Sequence, residues 1–227
     1  MALADKAGVG KGMKGVDLCC CNGAGMRFLL RFRGVSGITG IDATPLVLKR
    51  GRQRSAKERL TTKTKYILAD VTQTGLPGGK ADFVWGEDAW CYVVNKEKLI
   101  GEAARLVKKG GMIAFTDWVE GSVGMTDDEA KRFLAFMKFP NILSIAEYAA
   151  LLRKVSCEVL VAEDTGQFAP HVDLYIDMLN KQLTYDALKI IGFDMNLMQT
   201  MGGEMMFMQG LAHAGKIAQG RFIAKRE

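Results

Sequence analysis

The segment that most narrows the folding choices of this chain runs from Val16 to Asp42. It holds an apolar stretch with a carboxylate (Val16-Asp17-Leu18) running on into Cys19-Cys20-Cys21, a turn of small residues (Asn22-Gly23-Ala24-Gly25), an amphipathic stretch, and a second apolar stretch closing on a carboxylate (Ile38-Thr39-Gly40-Ile41-Asp42). Strand, small-residue turn, helix and strand in that order open a doubly wound sheet. In such sheets ligands sit outside the carboxyl ends of the parallel strands, and the first turn must let a ligand approach the backbone. Gly23, Ala24 and Gly25 supply that room. An acid about 20 residues further on, at the tip of the second strand, can accept hydrogen bonds from both hydroxyls of a ribose; Asp42 stands there. The pattern predicts a nucleoside-binding site, although a purely structural turn would use the same glycines.

Short apolar runs alternate with amphipathic stretches through the first half, as expected for parallel strands covered by helices on both faces. Strands are expected at 15–20, 37–42, 65–70, 81–87 and 111–117, with helices near 24–33, 45–60 and 95–108. Thr44 caps the second helix and Pro45 opens it, while Gly110-Gly111 closes the third. The second half predicts helices near 126–137 and 144–154, a strand at 157–163, a long helical stretch from about 169 to 215 and a last strand at 218–225. The expected fold class is α/β: a doubly wound, Rossmann-like, mostly parallel seven-stranded sheet with an antiparallel edge strand and a helical lid inserted before the last strand. In residues this divides into a cofactor-binding core (1–164), a lid (165–217) and a final edge strand (218–227).

With 227 residues, 48% of them hydrophobic and 25% charged, the chain can bury one sizeable core and is short for two full domains. No apolar run approaches the ~20 residues that span a bilayer, and no signal peptide precedes the first strand, so a cytoplasmic protein without membrane partners is expected. The five cysteines fit: Cys19, Cys20 and Cys21 are consecutive in an expected buried strand, Cys91 and Cys157 lie far off, and neither spaced cysteine pairs nor paired histidines suggest a metal. The net charge of +6 is concentrated in Lys49, Arg50, Arg52, Arg54, Lys57, Arg59, Lys63 and Lys65. Such a run suits nucleic acid, but no aromatic side chain interleaves it as a stacking platform, and a solvated helix face is the simpler reading.

A third strand, Tyr66-Ile67-Leu68-Ala69-Asp70, also ends on a carboxylate. Asp17, Asp42 and Asp70 then share one sheet edge, which repels a pyrophosphate and receives hydroxyls, amines or a cation. The same acids would also serve as helix caps in an open sheet. As a set, with Ala81 to Trp90 after the third acid and Ala104-Arg105-Leu106-Val107-Lys108-Lys109-Gly110-Gly111 before the fifth strand, they resemble the class I S-adenosylmethionine-dependent methyltransferases from Val16 onward. The resemblance implies S-adenosyl-L-methionine as cofactor. Asp17, Cys19 and Gly23 would lie beside its methionine part, Asp42 and Ala43 at the ribose, Asp70 and Val71 beside the adenine, and Glu87 of the fourth motif with them. Cys19 and Cys21 depart from the family, which usually has glycine there, so their Cβ atoms narrow the site.

Within that superfamily Glu87-Asp88-Ala89-Trp90-Cys91-Tyr92 and the lid resemble the small-amine N-methyltransferases of the sarcosine/dimethylglycine and phosphoethanolamine types. The resemblance implies that Asp88 holds the acceptor amine. Methyl transfer is an in-line displacement in which the protein mainly aligns the reactants, and a carboxylate beside an amine keeps it protonated, so a proton acceptor or a route to water is needed as well; Tyr92 is the candidate relay. Trp90, Asp117 and Trp118 follow strand tips and are candidates for the acceptor pocket, with core packing or helix capping as the alternatives. The lid is rich in methionine (Met195, Met198, Met201, Met205, Met206 and Met208), which suits either an adaptable pocket wall or plain packing. His171 and His213 are the only histidines, and Arg153, Lys181, Lys189 and Lys216 are candidate anion anchors. Relatives carry further helices before the first strand, so either this is a shortened form or the lid, and a second subunit as in a homodimer, closes the site. The expected partner is a small-molecule acceptor, with nucleic acid disfavoured. Rival readings are a C- or O-methyltransferase of a quinone- or sterol-type molecule, a nucleic-acid methyltransferase, and a cofactor-binding module without catalysis.

Overall fold

A computed structural model describes residues 2–227. After a short helix α1 (Ala2–Lys6), strands and helices alternate: β1 (Lys14–Leu18), α2 (Ala24–Phe32), β2 (Gly37–Asp42), α3 (Pro45–Lys57), β3 (Thr64–Leu68), β4 (Ala81–Glu87), α4 (Lys96–Leu106) and β5 (Val107–Glu120). Then come α5 (Asp127–Met137), the two-residue β6 (Leu143–Ser144), α6 (Ile145–Lys154), β7 (Cys157–Asp164), the helices α7 (Phe168–Met178), α8 (Thr184–Ile190) and α9 (Met195–His213), and β8 (Ile217–Arg226). The main path of the sheet runs β3-β2-β1-β4-β5-β8-β7, with β6 set against the end of β5. Only β8 runs antiparallel, pairing with β5 from Met112↔Lys225 to Glu120↔Ile217 and with β7 on its other side.

The order reverses between β1 and β4, which pair directly (Asp17↔Trp85). Here chain leaves the sheet toward opposite flanks, opening a crevice at the carboxyl ends of the strands. Close backbone approach at this crevice explains several glycines. At Gly23 (φ 72°) a Cβ would collide with the Tyr66 hydroxyl, which itself bonds Ser55 Oγ at 2.8 Å. At Gly25 a Cβ would come within 2.5 Å of the Glu87 carboxylate.

An aromatic stack holds the sheet to the helices covering it. Trp90 lies over Phe115 with ring centroids 4.0 Å apart, and Phe115 stacks on Phe222 at 4.6 Å and meets Tyr148 edge-on at 5.2 Å. All four rings are fully buried. Phe115→Ala, which empties the middle of this stack, is expected to cost about 3–5 kcal/mol, read as a lower midpoint in urea unfolding.

The mostly parallel sheet, the outer hairpin with one reversed strand and the helical insertion match the expected architecture; α1 and an eighth strand, β6, are additional, β3 ends at Leu68 so that Asp70 follows the strand, and further details differ. The last strand, expected at the edge, lies one place in, because β7 pairs with it and takes the rim. The first strand ends at Leu18, so the three cysteines form the turn; Cys19 (φ 62°) and Cys21 (φ 48°) take the left-handed backbone that glycine adopts without strain. The fourth helix stops at Leu106 rather than at the glycines, since Val107 already pairs with Ala81, and Gly110-Gly111 fall inside β5. Finally, the long helical stretch is three helices, and Thr44 sits at the start of α3 without a side-chain cap bond.

Candidate active site

The crevice holds a cavity of about 980 Å³ whose wall includes Cys19, Cys21, Asp42, Ala43, Asp70, Val71, Glu87, Asp88 and Tyr92. Most of the residues singled out in the sequence therefore meet in one place, because β1, β2, β3 and β4 all end there in parallel.

Asp42 braces the turn that precedes α2. Its Oδ2 accepts from the Cys21 N–H and its Oδ1 from the Thr44 N–H, both at 2.9 Å, so the carboxylate is fixed by the backbones on either side of it. An ionised carboxylate has about four lone-pair directions, which leaves two for a ligand hydroxyl pair. Asp70 is fixed similarly: Oδ1 accepts from the Thr72 N–H and hydroxyl, each at 2.8 Å.

Asp17 sits deeper and is 4% exposed. Burial, reinforced by the negative charges of Glu87 and Asp42, pushes its carboxyl well above the usual range. Glu87 is pushed up for the same reasons, burial first and then Asp88. Among the described residues no ion pair reaches Asp17, Asp42 or Glu87. A buried carboxyl whose charge is disfavoured by neighbouring carboxylates is relieved by a cation placed beside it. A positively charged ligand is what this arrangement accommodates.

Asp88 takes a left-handed backbone (φ 49°) and donates its N–H to the Thr116 carbonyl at 2.8 Å. Its Oδ2 accepts from Gln219 Nε2 at 2.7 Å, while Oδ1 is buried with no hydrogen-bond partner among the described residues. Burial raises its pKa, opposed first by the nearby Thr116 side chain and then by Gln219. An orphaned buried acceptor costs about 1–3 kcal/mol, so it marks a place for a donor from outside. Tyr92 is about half exposed, meets Phe139 edge-on at 4.8 Å, and has its phenol pushed up by burial.

Three candidates for the acceptor pocket lie elsewhere. Trp90 is a core side chain whose Nε1 donates to the Leu18 carbonyl at 3.1 Å. Asp117 is fully buried behind the cavity wall, accepting from the Cys91 N–H at 3.0 Å and the Tyr148 hydroxyl at 2.6 Å. Trp118 packs among Phe133, Phe139 and Phe168 at the base of the lid. Trp90 opens a single 3-10 turn (Trp90–Tyr92) after β4 and packs into the core, while Asp117 lies within β5 and takes the buried side of that strand.

Asp117 and Lys96 together fix the wall that carries Asp88 and Tyr92. The Lys96 ammonium donates to the Cys91 and Val93 carbonyls at 3.1 and 2.6 Å and to Asn141 Oδ1 at 2.8 Å. Burial pushes the Asp117 carboxyl up from 3.8 to about 6, against the hydrogen bonds that favour its charge. Between these values the unfolded chain has released the proton that the folded chain keeps, so stability from this group is lost as pH rises from about 4 to 6. Unfolding in urea at several pH values is expected to show a loss of about 3 kcal/mol over this window that is missing in Asp117→Asn.

Several wall residues were not anticipated: Thr72, Val93, Val94, Asn95 and Lys98 line the cavity, and Gln219 orients Asp88. A polar side chain in the apolar run of β8 was the one signal available for Gln219. Of the proposed anion anchors, Lys216 is paired with Glu129 and Lys181 with Asp177, and none of the four is found in the cavity wall; among the described residues Lys98 is the one cation that is. His213 pairs with Asp173 within the lid.

Comparison with known proteins bears directly on this geometry. Residues 16–115 match a family model described as a methyltransferase domain. A sterol 24-C-methyltransferase from Eremothecium gossypii is 28% identical over 195 residues, covering 84% of this chain and 52% of the relative. The chain spans about half the length of the curated relatives it matches. Among solved structures, a protein from Galdieria sulphuraria assigned as a sarcosine dimethylglycine methyltransferase superposes over all of this chain and 83% of its own, with a TM-score of 0.87 at 21% identity. A phosphoethanolamine N-methyltransferase from Haemonchus contortus, solved with phosphomonomethylethanolamine and S-adenosylhomocysteine, superposes over 99% of this chain and 51% of its own, with a TM-score of 0.86 at 16% identity. From β1 to β5 the chain thus matches a methyltransferase-domain model, and the whole of it has the fold of these methyltransferase structures.

Proposed function

We propose that the chain is an S-adenosyl-L-methionine-dependent methyltransferase acting on a small amine. The observation that carries the acceptor class is the buried, unpartnered Oδ1 of Asp88 at the cavity wall, held in place from behind by Gln219. An N–H of an amine satisfies it, and an apolar acceptor does not.

The residues present fit the cofactor. A cavity of about 980 Å³ has the size of a site for a nucleoside-bearing ligand. Asp42 would hold the ribose, Asp70 with Val71 and Thr72 would face the adenine, and Asp17 with Glu87 would face the cationic methionine end. The bound cofactor supplies an electrophilic methyl group on a positively charged sulfur. The protein's part is to orient: the rigid Asp42 and Asp70 turns fix one reactant, and Asp88 fixes the acceptor nitrogen with one N–H toward Oδ1. That carboxylate also stabilises the protonated amine, so the proton must leave before attack, and the half-exposed Tyr92 hydroxyl is the group placed to pass it to solvent.

A second reading has support of its own. Curated relatives matched by sequence include sterol 24-C-methyltransferases, and the lid exposes Leu174, Tyr175, Ile190, Met195 and Met206, a surface suited to an apolar acceptor. Incubation of the chain with methyl-labelled cofactor and a panel of glycine derivatives, ethanolamine phosphates, quinols, sterols and nucleic acid separates the two. Label transfer to the amines supports the proposal, and transfer confined to sterols or quinols replaces it with C- or O-methylation. The chain is expected to work as a cytoplasmic enzyme; among the described residues no helix is long and apolar enough to cross a membrane.

A further inference from the structure

The basic run that the catalytic reading leaves unused forms a built cleft. The ends of α2 and α3 flank an open depression of about 600 Å³ lined by Arg27, Arg31, Arg54, Lys57, Glu58 and Arg59. Five cations face one acid, and four of the five are arginines. Glu58 is already engaged by two of them, through Arg27 Nε at 2.9 Å and Arg31 Nη1 at 3.1 Å. No ion pair is found for Arg54, Lys57 or Arg59 among the described residues.

One wall of this cleft is rigid. Arg27 is 7% exposed, and its Nη1 donates to the Asn22 carbonyl at 2.6 Å while Nε holds Glu58, so the guanidinium is fixed before any ligand arrives. Arg59 lines the cleft from a left-handed backbone position (φ 58°), where glycine is the unstrained choice. Basic last turns favour both helix dipoles, which accounts for the sign of these charges. It does not account for two helix ends gathering them around one depression. From Lys49 to Lys65 eight cations meet one acid, whereas the whole chain carries +6, so the rest of the molecule is close to neutral. Three of the eight, Arg54, Lys57 and Arg59, join Arg27 and Arg31 at the cleft, which draws in a multiply charged anion.

We propose that the α2–α3 cleft binds a ligand carrying several phosphate groups, through the planar, multidentate guanidinium donors that match phosphate oxygens. Among the described residues no aromatic side chain lines the cleft, so nucleobase stacking is not part of its recognition. The ligand can be soluble or a lipid headgroup, since both present the same chemistry.

The test titrates the full chain calorimetrically with inorganic tripolyphosphate at low salt, and in parallel sediments it with phosphatidylcholine vesicles with and without phosphatidylinositol bisphosphate. The comparison protein is Arg54→Gln/Lys57→Gln/Arg59→Gln, which changes only exposed side chains outside the methyltransferase cavity. Tripolyphosphate is expected to bind with a Kd below about 1 mM and at least about tenfold more weakly to the triple variant. The variant's affinity for S-adenosylhomocysteine should be unchanged. Binding to bisphosphate vesicles that free tripolyphosphate displaces identifies a lipid source, and binding of tripolyphosphate alone a soluble one. No measurable affinity for either probe, equal affinity in the triple variant, or a short DNA duplex held more tightly than both probes overturns the proposal.

Discussion

Asp42→Ala is expected to weaken S-adenosylhomocysteine binding by about 100-fold while leaving the fold intact. Two charge-assisted hydrogen bonds to ribose hydroxyls account for about 3 kcal/mol or more, which is that factor. The variant also releases the Cys21 and Thr44 amides, which lie at an exposed site and can turn to water, so the loss of stability should stay within about 1–2 kcal/mol. Calorimetry on both proteins gives the affinity, and a urea titration gives the stability. An affinity within a few-fold of the original would place the ribose elsewhere.

Asp88→Asn is expected to leave cofactor affinity within about threefold and to lower kcat by roughly 100- to 1000-fold, the scale set by losing a charged group that aligns a reactant. Asparagine is the informative substitution. It tolerates the left-handed backbone at this position (φ 49°), and Gln219 can reverse its amide to keep the bond, so the wall stays in place while the charge is gone. Turnover is measured with the best acceptor of the panel and affinity with S-adenosylhomocysteine. If kcat is retained, Asp88 is not the acceptor's anchor. If affinity and turnover fall together, the substitution has disturbed the cavity as a whole.

How much of this could be read beforehand varies with the range of the interaction. Asp42, Asp70, Glu87 and Asp88 were legible because parallel strands of one sheet must end at one edge, so an acid at the end of each apolar run lands in the crevice whatever the packing above it. Trp90 and Asp117 were misplaced because a strand tip fixes the edge a residue reaches and not the face its side chain takes; Trp90 turned inward to stack on Phe115, and Asp117 to meet Tyr148. Gln219 and Asp88 are 131 positions apart and pair only because β8 returns beside β5. No local pattern announces such a pair. The cysteine turn shows the opposite error: an apolar composition suggested a longer strand, yet Cys19 and Cys21 adopt the glycine conformation of the turn they occupy.

The central claim is that the carboxyls gathered at the β1, β2 and β4 ends form the receptor for a cationic, adenosine-bearing methyl donor. A crystal structure of the chain grown with S-adenosyl-L-homocysteine tests it most directly. The ribose hydroxyls are predicted on Asp42, the adenine beside Asp70 and Val71, and the homocysteine amino group toward Asp17 and Glu87. Density for the nucleoside outside this cavity, or with its ribose away from Asp42, would contradict the account.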